Sequence, residues 1–400
     1  MKEFLRIYIN SYRGLSRPAW MLALVIFINR SGAMVLPFLG VYMTQHLQFS
    51  IKDAGVVLSC FGLGAIIGSW LGGWLTDKIG HFKVQLSSLF LCVPLFLILP
   101  QFTHVVSLAI AIFVLSVVSE TFRPANSVSV AYYAKPENVT RAFSLNRMAV
   151  NLGFSIGPAL GGLLAAVSYS LLFYGNGFSV LIAGLLFFFY FRNRKGYSKT
   201  NVHAKSADAT ALKRSPYRDG VFIVFNLLVC LYAVCFFQIL NTLPIFYREV
   251  HKMSEASIGI ILAFSGLIVF LLEMLLVQFA ERSMADRTVI ILGTLLCGLS
   301  YILLNAPGGQ PLLYLSIFIL CISEILAMPF MATVTVRRAG NENQGAYMGM
   351  NALAFSAAHI LSPYIGTRIA SDFGFGVLWW GTGIVSALTA AGFYFVFKRL

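Results

Sequence analysis

Twelve membrane-spanning α-helices, arranged as two pseudo-symmetric six-helix bundles, are what this chain predicts: an all-α membrane protein. Three observations carry that fold class. Of the 400 residues 58% are hydrophobic and only 11% are charged, with a mean hydropathy of +0.80, against about 25% charged in a soluble domain. Apolar runs long enough to cross a bilayer core recur along the whole length. The two halves also repeat each other's polar and proline landmarks.

The runs cover roughly 19–45, 53–76, 83–101, 104–127, 142–167, 170–191, 219–247, 255–280, 287–305, 311–335, 345–370 and 375–396. Each must be helical, because an open strand or loop in lipid leaves backbone polar groups unpaired. Between the sixth and seventh runs lies the longest polar stretch, Arg192 to Arg218, with eight cations and few large apolar residues. It reads as a flexible linker. The expected domains are therefore a bundle over 1–191, a linker over 192–218 and a second bundle over 219–400.

Net charge is +14, which by itself would suit a nucleic-acid binder. Its distribution excludes that. With the N-terminus inside, 23 of the 29 Lys and Arg fall on one side, four (Lys52, Arg248, Lys252, Arg368) on the other, and Arg30 and Arg123 within helices. This positive-inside bias places both termini in the cytoplasm. No cleavable leader is expected, because the first apolar run is too long for one. The six cysteines lie inside apolar runs without metal-ligand spacing, so neither disulfides nor a metal site are expected.

The repeat has an offset of about 204–207 residues. Leu36-Pro37-Phe38 matches Leu243-Pro244-Ile245. Ser119-Glu120 with Pro124 matches Ser323-Glu324 with Pro329. Pro158 and Gly161 match Pro363 and Gly366. Copies in the same orientation form a parallel repeat.

Between the second and third runs stands GGWLTDKIGHFKV, with Gly73, Leu75, Asp77, Lys78, Gly80, His81 and Lys83. The break needs glycines to turn, a carboxylate to accept hydrogen bonds, and cations to hold the loop at the cytoplasmic face. The spacing G-x-L-x-D-K-x-G-x-x-K resembles the loop signature of the major facilitator superfamily. The matching second-half loop, Ala280 to Arg287, keeps charges and loses the glycines. In the fifth run Gly153, Gly157, Pro158, Gly161 and Gly162 form G-x-x-x-G-P-x-x-G-G, which resembles the motif of the drug:proton antiporter branch. Small residues every four positions let helices approach closely.

That resemblance implies the major facilitator fold, with spans 1, 4, 7 and 10 lining a central cavity and Glu120 facing Glu324 across it. It also implies that Asp77 bonds to neighbouring helix ends, including the N-terminus of span 11, and so stabilises an outward-open state. One departure stands: the branch's usual span 4 arginine would fall near Ile112, so its proton-relay assignment does not carry over.

Ionisable groups inside membrane helices cost at least ~2.5–3.5 kcal/mol near the centre, so they mark function. Proton coupling is expected from Glu120, Glu324, Arg123 and Arg30. Glu120 and Arg123 share a face of span 4, as a structural pair or as a titrating carboxylate with its cation. Glu324 has no cation nearby in sequence and reads as unpaired. Substrate contacts are expected from Asn29, Arg30, Gln238, Asn241, Glu273, Asn351 and His359, although the uncharged ones also serve as helix-packing glue. Asn351 and His359 share a face, and Glu273 lies near a helix end where it reads as able to snorkel or to pair locally. Conformational gating is expected from Gly73, Asp77, Lys78, Gly80, Lys83, Gly153, Gly157, Pro158 and Gly161.

The function these residues suggest is secondary active transport by alternating access, driven by a proton gradient without a bound cofactor. Efflux of amphipathic small molecules leads; a symporter, or a lipid or peptide transporter, remains open. The six scattered histidines form no catalytic set, so no enzyme is expected. Partners are a small molecule, protons and the bilayer, with no nucleic acid and a monomeric state. The expected location is the bacterial cytoplasmic (inner) membrane.

Overall fold

A computed structural model describes residues 12–194, 215–253, 255–340 and 343–399, and all of its regular structure is helical. Ten helices are long and apolar enough to cross a membrane among the described residues. The remaining two expected spans, 19–45 and 345–370, are also helical. The first is interrupted partway. The second holds polar residues such as Asn351, His359 and Thr367 in an otherwise continuous helix.

The first span is α1 (Arg17–Ser31) and α2 (Val35–Val41). Ser16 starts it, accepting the Ala19 N–H at 3.1 Å, with Pro18 in the first turn where a missing N–H costs nothing. At Gly32 the ladder stops, and Met34 N–H turns back to the Gly32 carbonyl at 2.7 Å. Then come α3 (Ile51–Ile79) and α4 (His81–Ile98), joined at Gly80, whose φ of +89° suits glycine. The fourth span is α5 (Val105–Glu120) running into α6 (Phe122–Tyr133). It is followed by α7 (Val139–Val167) and α8 (Tyr169–Phe191).

The second half opens with α9 (Gly220–Phe236) and α10 (Thr242–Glu249), separated by a turn over Phe237–Ile239. It continues with α11 (Glu255–Ser283), α12 (Asp286–Ile302), α13 (Gly309–Ala339), α14 (Gln344–Phe373) and α15 (Phe375–Val396). The loop between α11 and α12 turns at Ala285 with φ −73°. It needs no left-handed residue, which is why it dispenses with the glycines of its first-half counterpart.

Two compact units result. The first is built on Gly14–Lys213 with Ala339–Leu353, the second on Arg214–Arg338 with Ala354–Leu400. Most of the expected linker, residues 195–214, lies outside the described residues. Within each unit the repeat is legible in detail. Both opening spans break, at Gly32–Met34 and at Phe237–Asn241. Both pack an aromatic ring against the last helix of the unit: Tyr42 on Phe173 at 5.1 Å, and Phe246 on Trp379 at 5.4 Å.

Candidate functional site

The first unit gathers three charges in its interior. Arg123 Nε lies 3.3 Å from Glu120 Oε2, and Glu120 is 7% exposed. Arg30, at the end of α1, feels the attraction of Glu120 and the repulsion of Arg123. Its guanidinium carbon sits 5.4 Å from the Phe154 ring centroid, and its buried Nε has no hydrogen-bond partner. Asn29 beside it is half-buried. The cluster therefore holds two cations and one carboxylate on α1, α5 and α6, with Glu120 buried and the Arg123 side chain one-third exposed.

Two glycine stripes put the charges there. On α7, a Cβ at Gly153 would lie 2.6 Å from Arg30 Cβ, and one at Gly157 3.1 Å from the Arg30 carbonyl. Gly161 lies against Met34 and Phe38 beyond the break. This face lets α1 and α2 press their backbone against α7, so the Arg30 turn has no freedom to swing out. Ser179 of α8 pins the same turn, its Oγ donating to the Ile28 carbonyl at 2.5 Å. Pro158 lies within α7; its side chain is outside the described set.

The second stripe, Gly64, Gly68 and Gly72 on α3, escaped the sequence reading. A Cβ at Gly68 would lie 2.5 Å from the Val117 carbonyl and 3.0 Å from Glu120 Cβ; one at Gly72 would meet Thr121 and Pro124. Their four-residue spacing was a visible signal, of the same kind as the stripe on α7.

At the end of α3, Asp77 accepts from the Gly345 and Ala346 backbone N–H groups, both at 2.6 Å. These are free donors in the first turn of α14, where the helix dipole also favours a carboxylate. Gly73 makes the approach possible, since a Cβ there would lie 2.7 Å from the Gly345 carbonyl and 2.9 Å from Gly349 Cα. Lys78 leans over the Trp74 ring at 4.6 Å, and Lys83 is exposed. The sequence points to Asp77, Gly73 and the target helix, but not to the facing Gly345 and Gly349.

The second unit corrects several expectations. Glu273 is 0% exposed, so it does not snorkel; its helix runs on past it to Ser283. Glu324 is half-buried and engaged in an interaction, so it is not the lone carboxylate its sequence neighbours suggested. Gln238 is buried and tied on both sides: its Nε2 donates to the Ser362 carbonyl at 3.2 Å, and its Oε1 accepts from the Thr242 hydroxyl. Asn241 donates to the Phe237 carbonyl at 2.9 Å. Together they close the α9–α10 break and hold it against α14, where Gly366 gives them room. Asn351 and His359 lie on one helix but in different units, Asn351 in the first and His359 in the second. Asn351 is buried, whereas His359 is exposed and stacks on Phe237 at 3.7 Å.

One device was not anticipated. Asp219 caps α9, accepting from Phe222 N–H at 3.2 Å, and pairs with Arg338 at the end of α13. In the first unit Ser16 holds the matching place, capping α1 and donating to the Tyr133 carbonyl at 2.7 Å.

Comparison with known proteins gives a family and a fold. The family model described as Major Facilitator Superfamily matches residues 20–363 and 249–399. An uncharacterized MFS-type transporter, YttB of Bacillus subtilis, is 25% identical over 360 residues, 89% of each chain. A Na(+), Li(+), K(+)/H(+) antiporter of Planococcus maritimus is 22% identical over 88% of each chain. The quinolone resistance protein NorA of Staphylococcus aureus is 23% identical over 83% of this chain and 84% of its own. Among solved structures, the human organic anion transporter MFSD10 superposes with a TM-score of 0.74 at 14% identity, covering 94% of this chain and 99% of that one.

Proposed function

The chain belongs to the Major Facilitator Superfamily, and from that premise we propose that it is a proton-coupled exporter of amphipathic small molecules. It is a membrane transporter and not an enzyme. The observation that carries the coupling is the Glu120–Arg123 pair beside Arg30. Glu120 pairs with Arg123 and supplies the negative charge that acts on Arg30. Protonation leaves both cations uncompensated, so the packing around them changes with the proton. That dependence is what coupling requires. The similarity to a cation/proton antiporter supports exchange over symport, and the similarity to a quinolone resistance protein supports efflux.

In this reading Glu120 is the proton carrier of the first unit and Glu324 its repeat counterpart. Arg30 and Asn29 meet the cargo where α1 is interrupted, as discontinuous helices do in transporters. The Asp77 contact to α14 holds the outward-open state. The protein works as a monomer in a bacterial inner membrane, termini inside, without a cofactor.

The test is flux into proteoliposomes under an imposed pH gradient, with an amphipathic dye as cargo. Wild type accumulates dye against its gradient with protons moving the opposite way. Glu120→Gln and Glu324→Gln are expected to equilibrate it only. Accumulation retained by both variants overturns the coupling assignment, and protons entering with cargo overturn antiport.

A further inference from the structure

We propose that the α12–α15 end of the second unit binds the phosphate of an anionic phospholipid. Tyr394, near the end of α15, carries two cations on one ring: Arg287 with its guanidinium carbon 4.9 Å from the centroid, and Lys398 with Nζ 4.7 Å away. No carboxylate among the described residues pairs with either. The adjacent Asp286 is held by Arg337. Cation–π attraction contributes about 0.5–1 kcal/mol at an exposed site, and two like charges beside one ring oppose it. An anion beside the ring would compensate both charges.

The surroundings choose the source of that anion. Tyr394 is 41% exposed and Phe395 64% exposed, and Lys398 also lies 5.7 Å from the Phe395 ring. Aromatic rings at a helix end belong at the headgroup level, with apolar bodies toward the acyl chains. A free anion would leave Phe395 in water; a lipid covers it and supplies the phosphate. The Lys and Arg bias assigns this end to the cytoplasmic leaflet, where anionic headgroups attract basic clusters.

The repeat makes the same arrangement independently. Tyr190, 204 positions before Tyr394, carries Arg194 with its guanidinium carbon 3.9 Å from the ring, and Arg192 stands 5.7 Å from Phe188. Aromatic rings topped by cations thus close the last helix of both units.

The experiment is native mass spectrometry of delipidated protein in detergent, titrated with dioleoyl phosphatidylglycerol, dioleoyl phosphatidylcholine or inorganic phosphate. Phosphatidylglycerol is expected to bind in preference to phosphatidylcholine. The double variant Arg287→Gln/Lys398→Gln is expected to weaken it by about 30-fold, from roughly two surface cations' worth of attraction. The charge-conserving Arg287→Lys/Lys398→Arg retains binding, as does Arg368→Gln, near the end of α14 that leads into α15. Equal retention of both lipids, undiminished binding to the double Gln variant, or displacement by millimolar inorganic phosphate would each overturn the proposal.

Discussion

Arg338 grips Asp219 with two nitrogens, Nε on one carboxylate oxygen at 2.8 Å and an Nη on the other at 3.0 Å. The same carboxylate caps α9, so one buried side chain fixes the start of the seventh span to the end of the tenth. The first unit fulfils the equivalent task with the neutral Ser16 hydroxyl. Two copies of one design thus use different chemistry at the same joint.

Removing one partner from a buried ion pair leaves an uncompensated charge, at about 3–5 kcal/mol. Arg338 keeps some solvent contact, so Asp219→Ala is expected near the lower end of that range. Ser16→Ala loses a cap worth about 1 kcal/mol. Thermal unfolding of the purified variants should rank them in that order; equal losses would mean the pair acts only as a cap.

Glu120 and Arg123 form a cycle that can be closed. Each single change, Glu120→Gln or Arg123→Gln, is expected to lower stability, and the double change should lose less than the two combined. The coupling should fall within about 0.5–3 kcal/mol. A coupling of zero in the unfolding free energies would mean the two side chains stand side by side without acting on each other.

The α7 stripe predicts a contrast between neighbouring glycines. Gly153→Ala places a methyl 2.6 Å from Arg30 Cβ and is expected to cost about 1–3 kcal/mol. Gly162→Ala meets Phe38 only at 3.7 Å and should be close to neutral. Melting temperatures of the two variants check this, and an equal effect would remove the stripe as the cause.

Asp77→Ala takes away the acceptor for two free N–H groups of α14, for about 0.5–2 kcal/mol. Under the proposed gating role, a cysteine probe on the outer side of the substrate path becomes less reactive to an impermeant reagent in this variant. Unchanged labelling would leave Asp77 as a cap with no part in gating.

Much of this molecule was readable before any coordinates. Apolar runs announced the helices, because length and polarity are local properties. Asp77 was legible because a carboxylate in a glycine-flanked break has few things to do other than accept backbone N–H groups. What stayed hidden was partnership. Nothing local says that Gly68 faces Glu120, or that Asp219 meets a residue 119 positions away. Glu273 misled because distance along a helix from its end gives no measure of burial. Gln238 and Asn241 showed a polar pair without showing that a broken helix would use up their amides. The break itself was unseen, since Gly32-Ala33-Met34 lies inside a run that reads as one continuous span.

That interruption has a consequence for how the chain is made. At 15 residues, α1 reaches about 22 Å, short of the ~30 Å hydrocarbon layer, and it carries an arginine one residue before its end. Such a segment is a poor candidate to partition into lipid alone. Its closest supports, Gly153 and Ser179, emerge from the ribosome more than a hundred residues later. Biosynthesis must therefore hold the opening span near the translocon, or let it settle at the interface, until α7 and α8 arrive to receive it.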